Sequence, residues 1–392
     1  MEVLGKPANP ETPPGIVAVC LLDSAPPNRY LPGAMTKRDR DFLWKLLTTP
    51  SPTGFEMPGQ RVWAAEAKKT GAKVECDTYG STWAALPGRA KATVMLEAHA
   101  DEIGFMIVQI DKKGLLHLNR IGGSDAATAR GKRLRILGDK GEVPGVIGNT
   151  AIHLRRGSQG SEKAPQVHEL WVDVGASNPE EVAKLGLRVG HPAVLADEPL
   201  ELAHGRLVAR AIDNRIGGFI IARVLEKVAK AKKKPAFGLV CLNAVQEEIG
   251  GHGAMMATHR LTPEVAICLD VTHATDTPGI DQARHGAVAL GGGPTLTHGT
   301  ANHPLVVERL VEVAEKHKIP VQHEASSRST GTDTDKIYHI GDGVPSALVS
   351  LPLRSMHSAV ETADWNDIRH TIDLLATFVL SLKSNDRFHQ RL

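Results

Sequence analysis

Four apolar runs constrain this chain more than any other feature. They begin at Ala92, Gly238, Val265 and Ser346. A strand that is apolar on both faces must be covered on both faces, which is the condition of a parallel sheet inside helices. Between and around these runs the apolar period changes from strand-like to helical. Residues 37–47 carry Phe42, Leu43, Leu46 and Leu47 on one side. Residues 216–228 carry Ile216, Phe219, Ile220, Val224, Leu225 and Val228 at i, i+3, i+4 spacing. Residues 60–69, 302–317 and 365–383 also read as helices, and 74–77 with 82–86 as a hairpin. The alternation predicts an α/β fold: a mixed, largely parallel sheet sandwiched by helices.

The texture changes between residues 105 and 201. Short runs at 105–110, 115–118, 133–136, 145–147, 151–154 and 170–174 alternate with Gly-, Pro- and charge-rich turns. This predicts a small β-rich domain inserted into the main one. A capped short helix is expected after Asn178. The expected organisation is a main domain from 35–104 and 202–392, with the insert at 105–201. Residues 1–34 read as a disordered, Pro-rich extension. Their apolar run at 15–22 has acids before it and no small-residue cleavage site after it, so a secretion signal is not expected.

The apolar runs end in groups that can do chemistry. Val245-Gln-Glu-Glu-Ile-Gly carries Glu247 and Glu248 where the chain reaches glycines. Neighbours on a strand face opposite ways. Two such acids can therefore divide the work in one cleft, one holding a metal and the other moving a proton. An isolated Glu-Glu pair is ordinarily solvated, so the case rests on the other strand ends. Ala98-His-Ala-Asp places His99 beside Asp101, which can support the imidazole ring. Asp270 ends another run, and His357 follows the last. Asp213 stands just before the helical stretch, where it can cap a helix or face the cleft. Open α/β sheets bind ligands beyond the carboxyl ends of their strands, so these side chains are expected to converge. Two histidines with several carboxylates suit a pair of divalent ions such as zinc, cobalt or manganese. Such a pair polarises a carbonyl and acidifies a water, and an uncommitted acid can carry the proton.

Composition narrows the alternatives. A net charge of +2 and 4% aromatic residues do not suit a nucleic-acid surface or a sugar-stacking cleft. No apolar run approaches a membrane span, so no membrane partner is expected. Cys20, Cys76, Cys241 and Cys268 form no close pair, which suits a reducing compartment and a cytoplasmic location.

Six motifs together carry a resemblance. They are Ala98-His-Ala-Asp-Glu-Ile-Gly-Phe-Met, Ala211-Ile-Asp-Asn-Arg-Ile-Gly, Val245-Gln-Glu-Glu-Ile-Gly, Leu269-Asp-Val-Thr, Gly331-Thr-Asp and Met356-His-Ser. From about Met35 to Ala376 the chain resembles the M42 metallo-aminopeptidases, the tetrahedral aminopeptidases, some known as glutamyl aminopeptidases or endoglucanases. That resemblance implies that His99, Asp213 and Asp270 hold one metal ion. It implies that Asp213, Glu248 and His357 hold the second, with Asp213 as the bridge. Glu247 would be the general base, with Asp101 counted beside it among the catalytic groups. The β-rich insert resembles the family's dimerisation domain, through which twelve subunits form a hollow particle from dimers. Position 355 is Ser where the family usually has Tyr. The implied function is removal of N-terminal residues from peptide substrates. A deacylase or an inactive assembly protein on the same scaffold is the alternative.

Overall fold

The structure, a computed structural model, describes residues 35–154, 164–390 and 392. The expected extension at 1–34 lies outside the described residues.

The main sheet has eight strands. In spatial order they are Lys73–Cys76, Thr82–Leu86, Gly238–Ala244, Thr93–His99, Val265–His273, Ser346–Leu353, Thr295–His298 and Gln322–Ala325. The four central strands, from Gly238–Ala244 to Ser346–Leu353, run parallel. These are the four apolar runs, and their burial on both faces is the reason for their composition.

Side chains alternate cleanly across this sheet. Val94, Leu96, Ile267 and Leu269 join a core with the helices Lys37–Thr48, Met57–Lys68, Ile212–Ala229, Pro304–His317 and Trp365–Ser381. Met95, Val240, Leu242 and Cys268 face the other way, toward His252–Leu261 and Thr334–Ile337. The larger core is anchored by Phe219, whose ring lies 5.6 Å from Phe42 and 6.0 Å from Trp365. Truncating such a fully buried ring to Ala costs about 3–5 kcal/mol. Helix Lys37–Thr48 starts where the Thr36 side chain accepts the Asp39 N–H, which satisfies one orphan donor of its first turn.

In chain order, a closed six-stranded barrel falls between the main-sheet strands Thr93–His99 and Gly238–Ala244. Its strands run from Gly104–Ile110 to Pro192–Leu195. Phe105, Ile107, Leu118, Ile136 and Val172 fill its interior. Asn178 caps the short helix Pro179–Lys184 by accepting the Glu181 N–H.

The run at 151–154 is not a strand. Ile152–Leu154 is one 3-10 turn, and Leu154 is exposed. Strand Trp171–Asp173 already pairs with Leu116–Ile121 on one side and Gly141–Ile147 on the other, which leaves no edge for it. Among the described residues no helix is long and apolar enough to cross a membrane.

Candidate metal centre

The carboxyl ends of the central strands meet at one place. His99 closes its strand beside Ala244. Asp270 lies two residues past Cys268, which pairs with Glu97. The two-residue period puts His99 and Asp270 on the face shared by Met95 and Cys268.

Glu247 and Glu248 arrive differently from the sequence expectation. The strand ends at Ala244, Gln246 takes a left-handed φ of 62°, and the two glutamates lie in the turn that follows. Their separation is therefore the work of a turn, not of strand alternation. Glu247 Oε2 lies 4.0 Å from His99 Nε2, and Glu248 Oε2 lies 3.5 Å from His357 Nε2.

Asp213 is not a helix cap. The helix Ile212–Ala229 opens from Ala211 at φ 58° with no side-chain cap bond, and Asp213 itself has non-helical angles. A cis peptide joins it to Asn214. Its carboxylate faces the cleft. Oδ1 lies 3.1 Å from His99 Nε2, and Oδ2 lies 3.3 Å from His357 Nε2.

Two groups of donors result. His99, Asp213 and Asp270 have ligand atoms within 4.8 Å of one another, and so do Asp213, Glu248 and His357. Asp213 belongs to both. The five expected ligand residues are thus in one cluster, and Glu247 lies against its His99.

Asp101 is the support beneath that cluster. It is fully buried and lies 3.3 Å from His99 Nδ1, which leaves Nε2 directed at the carboxylates. Thr53 Oγ1 donates to it at 2.8 Å. It also accepts the backbone N–H groups of Glu247 at 3.0 Å and Glu248 at 3.2 Å.

Several supporting acids have no role assigned from the sequence. Glu361 accepts the Asp213 N–H at 3.1 Å and the His357 N–H at 2.8 Å, so one carboxyl fixes both backbones. No local pattern marks it. Glu97, wholly buried, accepts from Cys268 Sγ at 3.0 Å, and burial pushes its carboxyl up to about 7. Its signal was available, since it lies two residues before His99 on the same face. Asp333, from the Gly331-Thr-Asp motif, is also buried, and burial, then the Glu97 charge, raises it well above the carboxylate range.

The cluster carries more negative charge than its own histidines balance. Burial, with the charges of Asp270, Asp333 and Asp213, pushes Glu247 up to about 10. Burial, then Asp213, raises Glu248 well above its ordinary value, and burial raises Asp270. Asp213 goes the other way: burial opposes its ionisation, but hydrogen bonds from His357 and His99 outweigh it. One Glu248 oxygen, Oε1, is buried without a partner. Imidazole nitrogens and carboxylate oxygens converging in this way are the donor set that divalent metals take. The residues present fit such ions.

The centre opens into a cleft of about 710 Å³, lined by Asp213, Glu247, Glu248, Asp270 and His357 among others.

The M42 glutamyl aminopeptidase family matches over residues 80–374. The lysyl aminopeptidase of Pyrococcus furiosus is 34% identical over 349 residues, which span 89% of this chain and 99% of that one. Aminopeptidase APDkam598 from the archaeon Desulfurococcus kamchatkensis has a similar structure, with a TM-score of 0.82 and 32% identity over 88% of this chain and 96% of its own. PhTET1-12s, described as a dodecamer in the asymmetric unit, gives a TM-score of 0.78 at 25% identity over 87% of this chain and 99% of its own.

Proposed function

The chain belongs to the M42 peptidase family and is a hydrolase acting on peptides; from that premise we propose that it is a di-metal aminopeptidase removing N-terminal residues. The observation that carries this reading is Asp213, whose two oxygens face two different histidines. In this reading His99, Asp213 and Asp270 hold one divalent ion. Asp213, Glu248 and His357 hold the other. Zinc, cobalt and manganese all accept such donors.

When bound, the ions supply Lewis-acid polarisation of the scissile carbonyl and lower the pKa of a water. The chain supplies the proton traffic. Glu247, whose ionised form would be favoured by cations held by the neighbouring donors, takes a proton from the attacking water as the C–O bond forms. It returns a proton to the leaving nitrogen as the C–N bond breaks. The Glu247 side chain is only 15% exposed, so the proton stays near the reacting atoms. Asp101 acts through others, as a positioning residue for His99 and for the turn bearing both glutamates.

Hydrolysis of amino-acid p-nitroanilides, with zinc, cobalt or manganese added and then chelated, tests the proposal. Metal-dependent release of p-nitroaniline is expected. Metal-independent turnover, no turnover on any peptide, or faster cleavage of N-acylated amino acids would overturn it.

We propose further that the barrel mediates self-association, through dimers into a dodecamer. The similar PhTET1-12s is described as a dodecamer, and Val108, Val146 and Val189 are exposed on the barrel segment. Light scattering on the intact chain checks the mass. A cytoplasmic location is consistent with free Cys76, Cys241 and Cys268.

A further inference from the structure

Among the cleft-wall acids outside the two donor groups, Glu324 has no role in the chemistry proposed above. Glu324 lies on the strand Gln322–Ala325, which pairs with Thr295–His298. It lines the same cleft as Asp213, Glu247 and Asp270. Thr272 Oγ1 donates to its Oε1 at 2.9 Å, and Thr295 Oγ1 donates to its Oε2 at 3.1 Å. These partners are neutral hydroxyls, so the charge is oriented but not neutralised. Each oxygen keeps lone-pair capacity for another donor.

The placement sets a distance. Thr272 lies two residues beyond Asp270 on the same strand and the same face. At the rise of an extended strand that is roughly 6.6 Å from one Cα to the other. A carboxylate hydrogen-bonded to Thr272 therefore lies in the cleft wall beside the strand end that carries Asp270.

The other charged groups in the cleft are differently committed. Asp335 accepts the N–H groups of Thr330 and Gly331 with its carboxylate and so folds its own loop. Lys336 packs its stem against Gly251, where an added Cβ would lie 2.5 Å from Lys336 Cγ. Its place is beside the Glu247 turn.

We propose that the cleft accepts peptides whose N-terminal residue is lysine or arginine, and that Glu324 is the carboxylate that receives that side chain; this rests on the peptidase reading above. A basic side chain meets a preoriented acceptor through a charge-assisted hydrogen bond. An apolar one leaves the Glu324 charge facing it, and an acidic one is repelled.

The test has two arms. In the first, kcat/KM of the metal-loaded enzyme is measured on lysyl, arginyl, leucyl and glutamyl p-nitroanilides. Lysyl over glutamyl should exceed about a hundredfold, the size of discrimination a charged contact gives. Glu324→Gln, which keeps the shape and removes the charge, should cut the lysyl value by about ten- to a hundredfold. The leucyl value should change less than about threefold, because no charge contact is lost. Lys336→Met should leave the lysyl-to-leucyl ratio within about threefold. Preference for leucyl or glutamyl substrate, or an unchanged ratio in Glu324→Gln, overturns the proposal. In the second arm, lysinamide and leucinamide binding is measured by calorimetry. Tighter lysinamide binding that is lost in Glu324→Gln is expected. If nothing is hydrolysed, the peptidase reading falls, and calorimetry still decides: lysinamide bound no more tightly than leucinamide overturns the pocket.

Discussion

Asp101 accepts the Glu247 backbone N–H at 3.0 Å across 146 residues of chain. The bond ties the floor under His99 to the turn that carries the proposed base. Asp101→Asn should retain the fold but weaken metal binding by about 10–100-fold, the usual effect of losing a carboxylate behind a ligand histidine. Competition with a chromogenic chelator reads the affinity directly. An unchanged affinity and turnover would remove Asp101 from the machinery.

Glu247 and His99 should separate chemistry from binding. Glu247→Gln is expected to keep its metal content while kcat falls about a hundredfold or more, as for a removed general base. His99→Ala should lose metal as well, since its Nε2 lies among the first donor group. Elemental analysis alongside steady-state kinetics distinguishes the two. Normal turnover in Glu247→Gln would sink the assignment of the base.

Gly123 gives a test confined to the second donor group. A Cβ there would lie 2.4 Å from His357 Nδ1, far inside contact distance. Gly123→Ala should displace the imidazole and lower metal content from two ions per chain toward one. Two ions held at the original affinity would contradict this.

The metal-free protein should lose stability as pH rises. Burial holds the folded Glu247 carboxyl up to about 10, against an ordinary 4.5. A raised folded value means the native state binds more protons, so the contribution is complete below 4.5 and is lost as pH rises toward about 10. Glu248 and Asp270 shift in the same direction. Thermal melting of chelated protein at pH 6 and pH 9 should show the fall. Metal-loaded protein should show much less of it, and equal slopes would argue against ions at this cluster.

The opposite sign is expected at Glu66. Burial works against its charge, but hydrogen bonds from Arg223, Lys69 and Arg38 hold it at about 2. That stabilisation is present above 4.5 and is lost as pH falls toward 2. Glu66→Gln should cost roughly 1.5–3 kcal/mol at neutral pH, the range for hydrogen bonds to charged groups. Urea unfolding at pH 7 and pH 3 should show the difference between wild type and variant shrinking at the lower pH.

Long-range order was legible where burial dictated composition. The four central strands showed as apolar runs, and the helices showed as a 3.6-residue period, because both patterns follow directly from which faces are covered. His99 and Asp270 could be placed for the same reason. The turn at 245–251 was harder. Reading Glu247 and Glu248 as strand neighbours assumed extended backbone, whereas the left-handed Gln246 has no sequence signal of its own. Asp213 looked like a cap because its true partners are far away in the chain, His99 being 114 residues earlier. Glu361 was invisible, since its partners are backbone N–H groups brought near only by the finished fold.

The barrel's turn at Gly122 and Gly123 touches the centre without contributing a side chain. A Cβ at Gly122 would stand 3.1 Å from Glu248, just as one at Gly123 would strike His357. There is no room for a side chain between this turn and two of the three residues of the second donor group. Should the barrels carry the proposed subunit contacts, they would act as lever arms whose short ends rest on this imidazole and carboxylate. Assembly and turnover would then share one mechanical coordinate.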